Sequence, residues 1–257
     1  QQQQQQQEEL DMATAVALSA MEVEGEVEGE GEPNNNVVSP AVQAVATPAP
    51  GTASLLLTPR QLDATYRGPF NDYGQRHGQG ELLWTNGDRY TGDFVHGARD
   101  GQGTLFFHDG SEYVGAWMNN QMHGQGTRRF PDGNVYTGQY REGRRSGPGR
   151  CYYANGDMYV GEWRSDQMTG FGRYYYNNGQ SFEGFFWEGK RTGKGKYQLS
   201  DGRIDVYRYV DDQRVGEGVR WSINRKKAWK LQDGKVKGRV SLEQASAIAA
   251  RCASENT

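Results

Sequence analysis

The sequence predicts an all-β fold: an elongated single-layer antiparallel sheet of tandem β-hairpins, closed by a short C-terminal capping helix. Glycine supplies 36 of the 257 residues and hydrophobic residues only 35%, so few apolar side chains cover much backbone. Glycine weakens helices, and a layered α/β core needs branched aliphatics. All 15 tyrosines, nine phenylalanines and six tryptophans lie between Tyr66 and Trp229. Within that stretch, rings and glycines recur with a fixed period, the mark of a repeat architecture.

Residues 1–62 have a different character and read as a disordered acidic arm. They hold Gln1 to Gln7, an acidic run from Val23 to Glu32, three asparagines from Asn34 and a Pro/Ala/Thr stretch to Pro59. Over residues 1–64, ten acids stand against Arg60 alone. Such a segment buries too little apolar surface to offset the entropy of ordering. A solvated linker is the plain reading; an acidic tail that shields or recruits a basic partner is the sharper one. The stretch from Met12 to Ala20 lacks a basic leader, so no signal peptide is expected. A chain opening on Gln1 is either a fragment or starts at Met12, and both readings stay open.

The remaining global features narrow the function classes. Cys151 and Cys252 are too few and too far apart for a disulfide framework or a zinc knuckle, which points to a reducing, cytoplasmic setting. No apolar run approaches the roughly 18 residues of a membrane span. The net charge is −3, and the modest basic excess outside the arm falls short of a nucleic-acid binder.

The repeat begins at Tyr66. Tyr66, Tyr90, Tyr113, Tyr136, Tyr159 and Phe182 are spaced by 24, 23, 23, 23 and 23 residues. Each is followed two residues on by Gly and four on by another ring: Phe70, Phe94, Trp117, Tyr140, Trp163 and Phe186. Paired glycines follow at +11 and +13, as in Gly124/Gly126 and Gly147/Gly149; Gly78/Gly80 come one place late. At +20 stands a glycine preceded by Asp or Asn, from Asn86-Gly87 to Asp201-Gly202.

Ring-x-Gly-x-ring alternates with period two and reads as a first strand, and Gly-x-Gly-x-x-x-ring as its partner. Pro131-Asp132-Gly133 suits a three-residue loop with Gly in the left-handed position. That loop sets the register: Phe130 faces Asn134, Arg128 faces Tyr136, Gly126 faces Gly138 and Gly124 faces Tyr140. Each +4 ring then opposes a +11 glycine, on which it is expected to lie flat. A row of glycine pairs forms the floor between two rows of rings. One hairpin buries too little to fold alone, so neighbours must stack, and six repeats would extend roughly 60 Å.

These residues closely resemble the MORN (membrane occupation and recognition nexus) repeat family, over about residues 66–202 with a degenerate seventh unit to Gly218. The resemblance implies an elongated sheet of hairpins acting as a non-catalytic module, found in scaffolds and in cytoskeletal and membrane-junction proteins. It implies phospholipid binding and protein docking or dimerisation alike, and does not choose between them. In the seventh unit Asp205 replaces the ring and Tyr207 the glycine, as expected of a terminal repeat that caps a sheet edge.

Residues 219–257 complete the chain. Lys227 to Lys237 reads as a hairpin around Asp233-Gly234. Ser241 to Cys252 reads as a helix with a Ser241/Gln244 capping box and Leu242, Ala245, Ile248 and Ala249 on one face.

Enzymatic readings find little purchase. The glycine pairs lack GxGxxG or Walker spacing. His77 and His123 lie two repeats, roughly 20 Å, apart, too far to share a metal, and no nucleophile triad or carboxylate pair emerges. No catalytic residue, metal, cofactor or small-molecule substrate is expected. Three binding surfaces are. A groove lined by Tyr90, Phe94, Tyr113, Trp117, Tyr136, Tyr140, Tyr159 and Trp163 would take a peptide or helix, although holding the sheet together accounts for most of these rings. On the opposite face, Tyr152, Phe171, Tyr175 and Phe185 would form a protein or dimer interface unless the tail or the arm covers them. From Arg220 to Arg239, the cations Arg220, Arg225, Lys226, Lys227, Lys230, Lys235 and Lys237, interleaved with Trp221 and Trp229, would suit anionic lipid. The expected function is protein docking or self-association, with anionic phospholipid as the competing ligand and a membrane or the cytoskeleton as the setting.

Overall fold

The computed structural model describes residues 64–254, which fall in the second of the chain's two units, Thr58–Thr257. The expected acidic arm lies outside the described residues. Sixteen strands form one antiparallel sheet in which spatial order follows sequence order. They are β1 (Ala64–Arg67), β2 (Gly78–Trp84), β3 (Arg89–Val95), β4 (Ala98–Phe106), β5 (Glu112–Met118), β6 (Gln121–Arg129), β7 (Val135–Arg141) and β8 (Arg144–Tyr152). Then come β9 (Met158–Arg164), β10 (Gln167–Tyr175), β11 (Ser181–Trp187), β12 (Lys190–Gln198), β13 (Ile204–Val210), β14 (Gln213–Trp221), β15 (Ala228–Gln232) and β16 (Lys235–Val240), followed by helix α1 (Leu242–Ser254).

The loop between repeats has the expected geometry. The Phe130 N–H donates to Asn134 O at 2.8 Å, the Gly133 N–H donates to Phe130 O at 3.0 Å, and Gly133 has φ +88°. The Asp132 carboxylate accepts from the Asn134 N–H at 3.0 Å, and Asn86, Asp109, Asn155, Asn178 and Asp201 repeat that bond in the other turns. Register follows: Arg128 pairs with Tyr136, Gly126 with Gly138 and Gly124 with Tyr140. Within a repeat the strands are joined by two-residue turns such as Glu142-Gly143 and Ser165-Asp166. Both residues of each have positive φ, the turn that matches strand twist.

The +11 glycines do a different task from the one expected. Gly124, Gly147, Gly170 and Gly193 have φ between +59° and +64°, and the ladder shifts beside them: Gly138 pairs with Gly149, yet Tyr140 pairs with Arg145. They are bulge glycines, not rests for the +4 ring. The ring that reclines is the leading tyrosine. Its resting place is the +2 and +13 glycines, since a Cβ added at Gly138 or Gly149 would meet the Tyr136 ring inside 3.0 Å. A hydrogen bond holds it down: the Tyr136 hydroxyl donates to Gln139 O at 3.0 Å, as Tyr90 does to Asp93 O, Tyr113 to Ala116 O and Tyr159 to Glu162 O.

These reclining rings build the core on one face of the sheet. An unbroken edge-to-face chain runs from Phe70 to Tyr209, with ring centroids 5.0–5.4 Å apart. This is the favoured geometry for aromatic quadrupoles. It replaces the second layer that a single sheet lacks.

The C-terminal end changes chemistry. Asp205, fully buried where a leading ring would stand, receives two hydrogen bonds from Arg220 at 2.6 and 2.7 Å. Tyr207 lies over Gly218 and accepts a hydrogen bond from the Gly234 N–H at 3.0 Å, which pins the hairpin of β15 and β16. The capping box is formed: the Gln244 N–H donates to Ser241 Oγ at 3.1 Å and the Ser241 N–H to Gln244 Oε1 at 3.0 Å. Leu242 departs from expectation. It is 46% exposed in the first turn, while Ala245, Ile248, Ala249 and Cys252 form the stripe that packs on Ile204, Val206 and Val219.

Candidate functional site

The eight groove rings come together, but as the core itself. Tyr90, Phe94, Tyr113, Trp117, Tyr136, Tyr140, Tyr159 and Trp163 are 0–5% exposed, so their side chains present almost no surface to a partner. Burial pushes the phenols of Tyr90, Tyr113, Tyr136 and Tyr159 up from their ordinary value. Above the rings lies an alternating cover. Arg99, Met122, Arg145, Met168 and Arg191 pair across the ladder with Phe94, Trp117, Tyr140, Trp163 and Phe186.

This alternation defines a 46-residue double repeat that the 23-residue reading does not contain. The backbone N–H groups of Arg99, Arg145 and Arg191 donate to the side chains of Asn120, Asp166 and Asp212 at 2.9–3.0 Å. Their guanidinium groups donate to the backbone oxygens of the same residues and stack on Trp117, Trp163 and Tyr209. Burial pulls Arg99 down to about 10, so it stays protonated at neutral pH. The intervening turns carry Gly97, Gly143 and Gly189 at that place. The signal was present as Arg/Met alternation at +9. Beside this cover, Trp163, Met168 and Tyr153 floor a 470 Å³ hollow rimmed by Asp132, Asp166 and Glu188.

The opposite face carries the exposed rings. Phe171 is 43% and Phe185 50% exposed, edge to face at 5.6 Å. Tyr152 and Tyr175 are half-buried on the same face, each with its hydroxyl bonded by a neighbouring guanidinium, Arg150 at 2.8 Å and Arg173 at 3.2 Å. Trp187, 58% exposed, belongs to this group. Its signal was the strand parity it shares with Phe185. The tail leaves the patch open: α1 packs chiefly over β12 to β15, and Phe171, Phe185 and Trp187 stay exposed.

The basic segment divides. Arg220 is committed to Asp205, and those hydrogen bonds hold its guanidinium above the usual value. Lys230 and Arg251 both pair with Glu217, and their hydrogen bonds hold its carboxyl below the usual value. Arg225, Lys226, Lys227, Lys235 and Lys237 are exposed. Among the described residues, no helix is long and apolar enough to cross a membrane, and no group of three His, Cys, Asp or Glu is placed to hold a metal. His77 and His96 touch, with ring centroids 5.8 Å apart.

Tandem hairpins fused into one open sheet by rings reclining on glycine define a β-repeat protein, in which each unit is stabilised by its neighbours. Six consecutive matches to the MORN repeat span residues 72–89, 90–112, 113–135, 136–158, 159–181 and 182–202; the chain belongs to the MORN repeat family. No curated protein matches the chain. Among solved structures, it is similar to the TCP domain of Drosophila melanogaster SAS-4 (dCPAP) in complex with a proline-rich motif of Ana2 (dSTIL), at 11% identity, covering 74% of this chain and 98% of that one with a TM-score of 0.41. It is also similar to the TCP10c domain of Drosophila melanogaster Sas-4, at 12% identity, 66% and 100% coverage and a TM-score of 0.38. The G-box domain of the microcephaly protein CPAP matches at 11% identity, 69% and 99% coverage and a TM-score of 0.37.

Proposed function

We propose that this MORN-repeat chain is a non-catalytic scaffold that docks a protein partner, or a second copy, on the face of its sheet opposite the ring core. The observation that supports this most is the bare aromatic group Phe171, Phe185 and Trp187. Exposed rings of this size, rimmed by polar residues, are characteristic of interaction sites. The ring core is spent on holding the hairpins together and has little left to offer. A photocrosslinking amino acid at Phe171 or Phe185, compared with one at Thr91 on the same face, tests the reading in cells. Protein adducts specific to positions 171 and 185 support it; the absence of protein adducts at all three positions removes it.

The second reading is peripheral binding to anionic phospholipid through the C-terminal hairpin. The exposed Arg225, Lys226, Lys227, Lys235 and Lys237 favour it, each contributing about 1 kcal/mol near an anionic surface. Arg220 and Lys230 would contribute less, because both already have carboxylate partners. Salt-sensitive co-sedimentation with phosphatidylserine vesicles, lost on substitution of Lys226, Lys227 and Lys235 by Glu, is the expected result; no co-sedimentation eliminates it. We propose the cytoplasm, at a membrane or along the cytoskeleton, as the setting in which such a ligand would be met.

A further inference from the structure

We infer that the partner element seated on Phe171, Phe185 and Trp187 is an acidic amphipathic helix, laid on the sheet beside α1. The inference rests on the scaffold reading and names the chemistry of its ligand. Three features of the patch carry it: its position within the sheet, its continuity with an interface already present, and its charge.

Position excludes an added strand. Phe171 lies on β10 and Phe185 and Trp187 on β11, and both strands are hydrogen-bonded on each side. With no free edge there, a ligand must lie on the face rather than extend the ladder, and an apolar helical stripe is the regular element that does so. Continuity supplies the precedent. The same face, from β12 to β15, is already covered by a helix of this chain, whose Ala245, Ile248 and Cys252 rest on Ile204, Val206 and Val219. The patch begins on the next strand. A packed helix stands roughly 10 Å off its sheet, so α1 forms a step along one side of the patch. A second helix fits against that step, whereas a planar bilayer resting on α1 would be held away from Phe185.

Charge selects the sign. Arg164 and Lys194 are exposed on this face, and Arg173 and Lys196 flank it while sharing Glu183. Glu162 is the other carboxylate here, so four cations stand against two carboxylates. The surround is net positive. A second copy would set these cations against their own equivalents, which opposes self-association through the patch, whereas carboxylates flanking an apolar stripe complement them.

The test uses fluorescence anisotropy with two labelled synthetic helices of ~18 residues, long enough for five turns. They share one leucine stripe and differ only in carrying Glu or Lys on its flanks. The acidic helix should bind the full chain about tenfold more tightly than the basic one. Phe185→Ala and Trp187→Ala should each weaken it by about fivefold or more, and the double variant R164E/K194E should reverse the charge preference. All four side chains are exposed, and an unchanged melting curve reports an intact fold. Equal binding of the two helices, or binding indifferent to Phe185→Ala and Trp187→Ala, overturns the inference. So does Trp187-dependent uptake by phosphatidylserine vesicles in preference to the acidic helix, or a dimer in sedimentation that Trp187→Ala abolishes. If protein crosslinks arise at positions 171 and 185 while neither helix binds, this inference fails and the scaffold reading stands.

Discussion

Each repeat hinges on a ring, tyrosine in all but the one led by Phe182, lying across two bare glycines. At Gly149 an added Cβ would enter the Tyr136 ring, itself fully buried and in edge-to-face contact with Tyr140 and Trp163. The ring cannot step aside, so Gly149→Ala should destabilise by about 3 kcal/mol, the upper end for overpacking. At Gly193 an added Cβ meets open space, but φ is +61°, so Gly193→Ala should cost only about 1–2 kcal/mol of left-handed strain. Tyr136→Phe keeps the ring and loses one hydrogen bond, about 1 kcal/mol; Phe182 shows that the fold accepts such a ring. Urea unfolding of the three variants should rank them in that order. The sequence pattern made the glycine floor legible, because a missing side chain at fixed spacing is visible in one dimension. Which ring uses the floor was not legible: that depends on a hydroxyl reaching a carbonyl three residues on, beside a bulge.

Elements joined to the sheet by side chains differ from those joined by the ladder. Helix α1 is held by an apolar stripe and by Glu217, whose carboxyl lies below its ordinary pKa because Lys230 and Arg251 donate hydrogen bonds to it. A depressed folded-state pKa stabilises above the unfolded value and is lost as pH falls through the folded one. The attachment of α1 should therefore weaken below the usual glutamate range, and Glu217→Gln should flatten that acid dependence. Cys252 provides the readout. It is buried on the side of the helix turned to the sheet, and burial pushes its thiol up; alkylation should be slow at neutral pH and should rise when Ile248→Asp displaces α1. Alkylation as fast in the parent chain as in that variant would contradict this docking. The helix and its capping box were legible from local chemistry. The partners of Arg220 and Lys230 were not, because Asp205 and Glu217 meet them across paired strands, 15 and 13 residues away in sequence.

At the scale of the described unit, contacts run almost entirely between sequence neighbours, as the sheet order requires. Whole repeats should therefore be removable, but in steps of two. Deleting residues 113–158 brings Arg99 to Asp166, an acceptor like Asn120; deleting 113–135 brings it to Gly143, which has no side chain to accept its bond. The larger deletion should melt closer to the parent chain than the smaller, and the reverse order would refute the 46-residue period. The period of 23 and the loop and register between repeats were legible because each follows from spacing and turn chemistry; the two-residue turns and the bulge within a repeat were not. The division of labour between the two faces was only partly so: strand parity located Phe171 and Phe185, but burial of the groove rings depends on a cover of Arg and Met from the partner strand. The account rests most heavily on that division, and hydroxyl-radical footprinting of the free protein tests it directly. Trp187, Phe171 and Phe185 should oxidise rapidly while Trp117 and Trp163 stay protected; rapid oxidation of Trp117 and Trp163 alongside a protected Trp187 would contradict it.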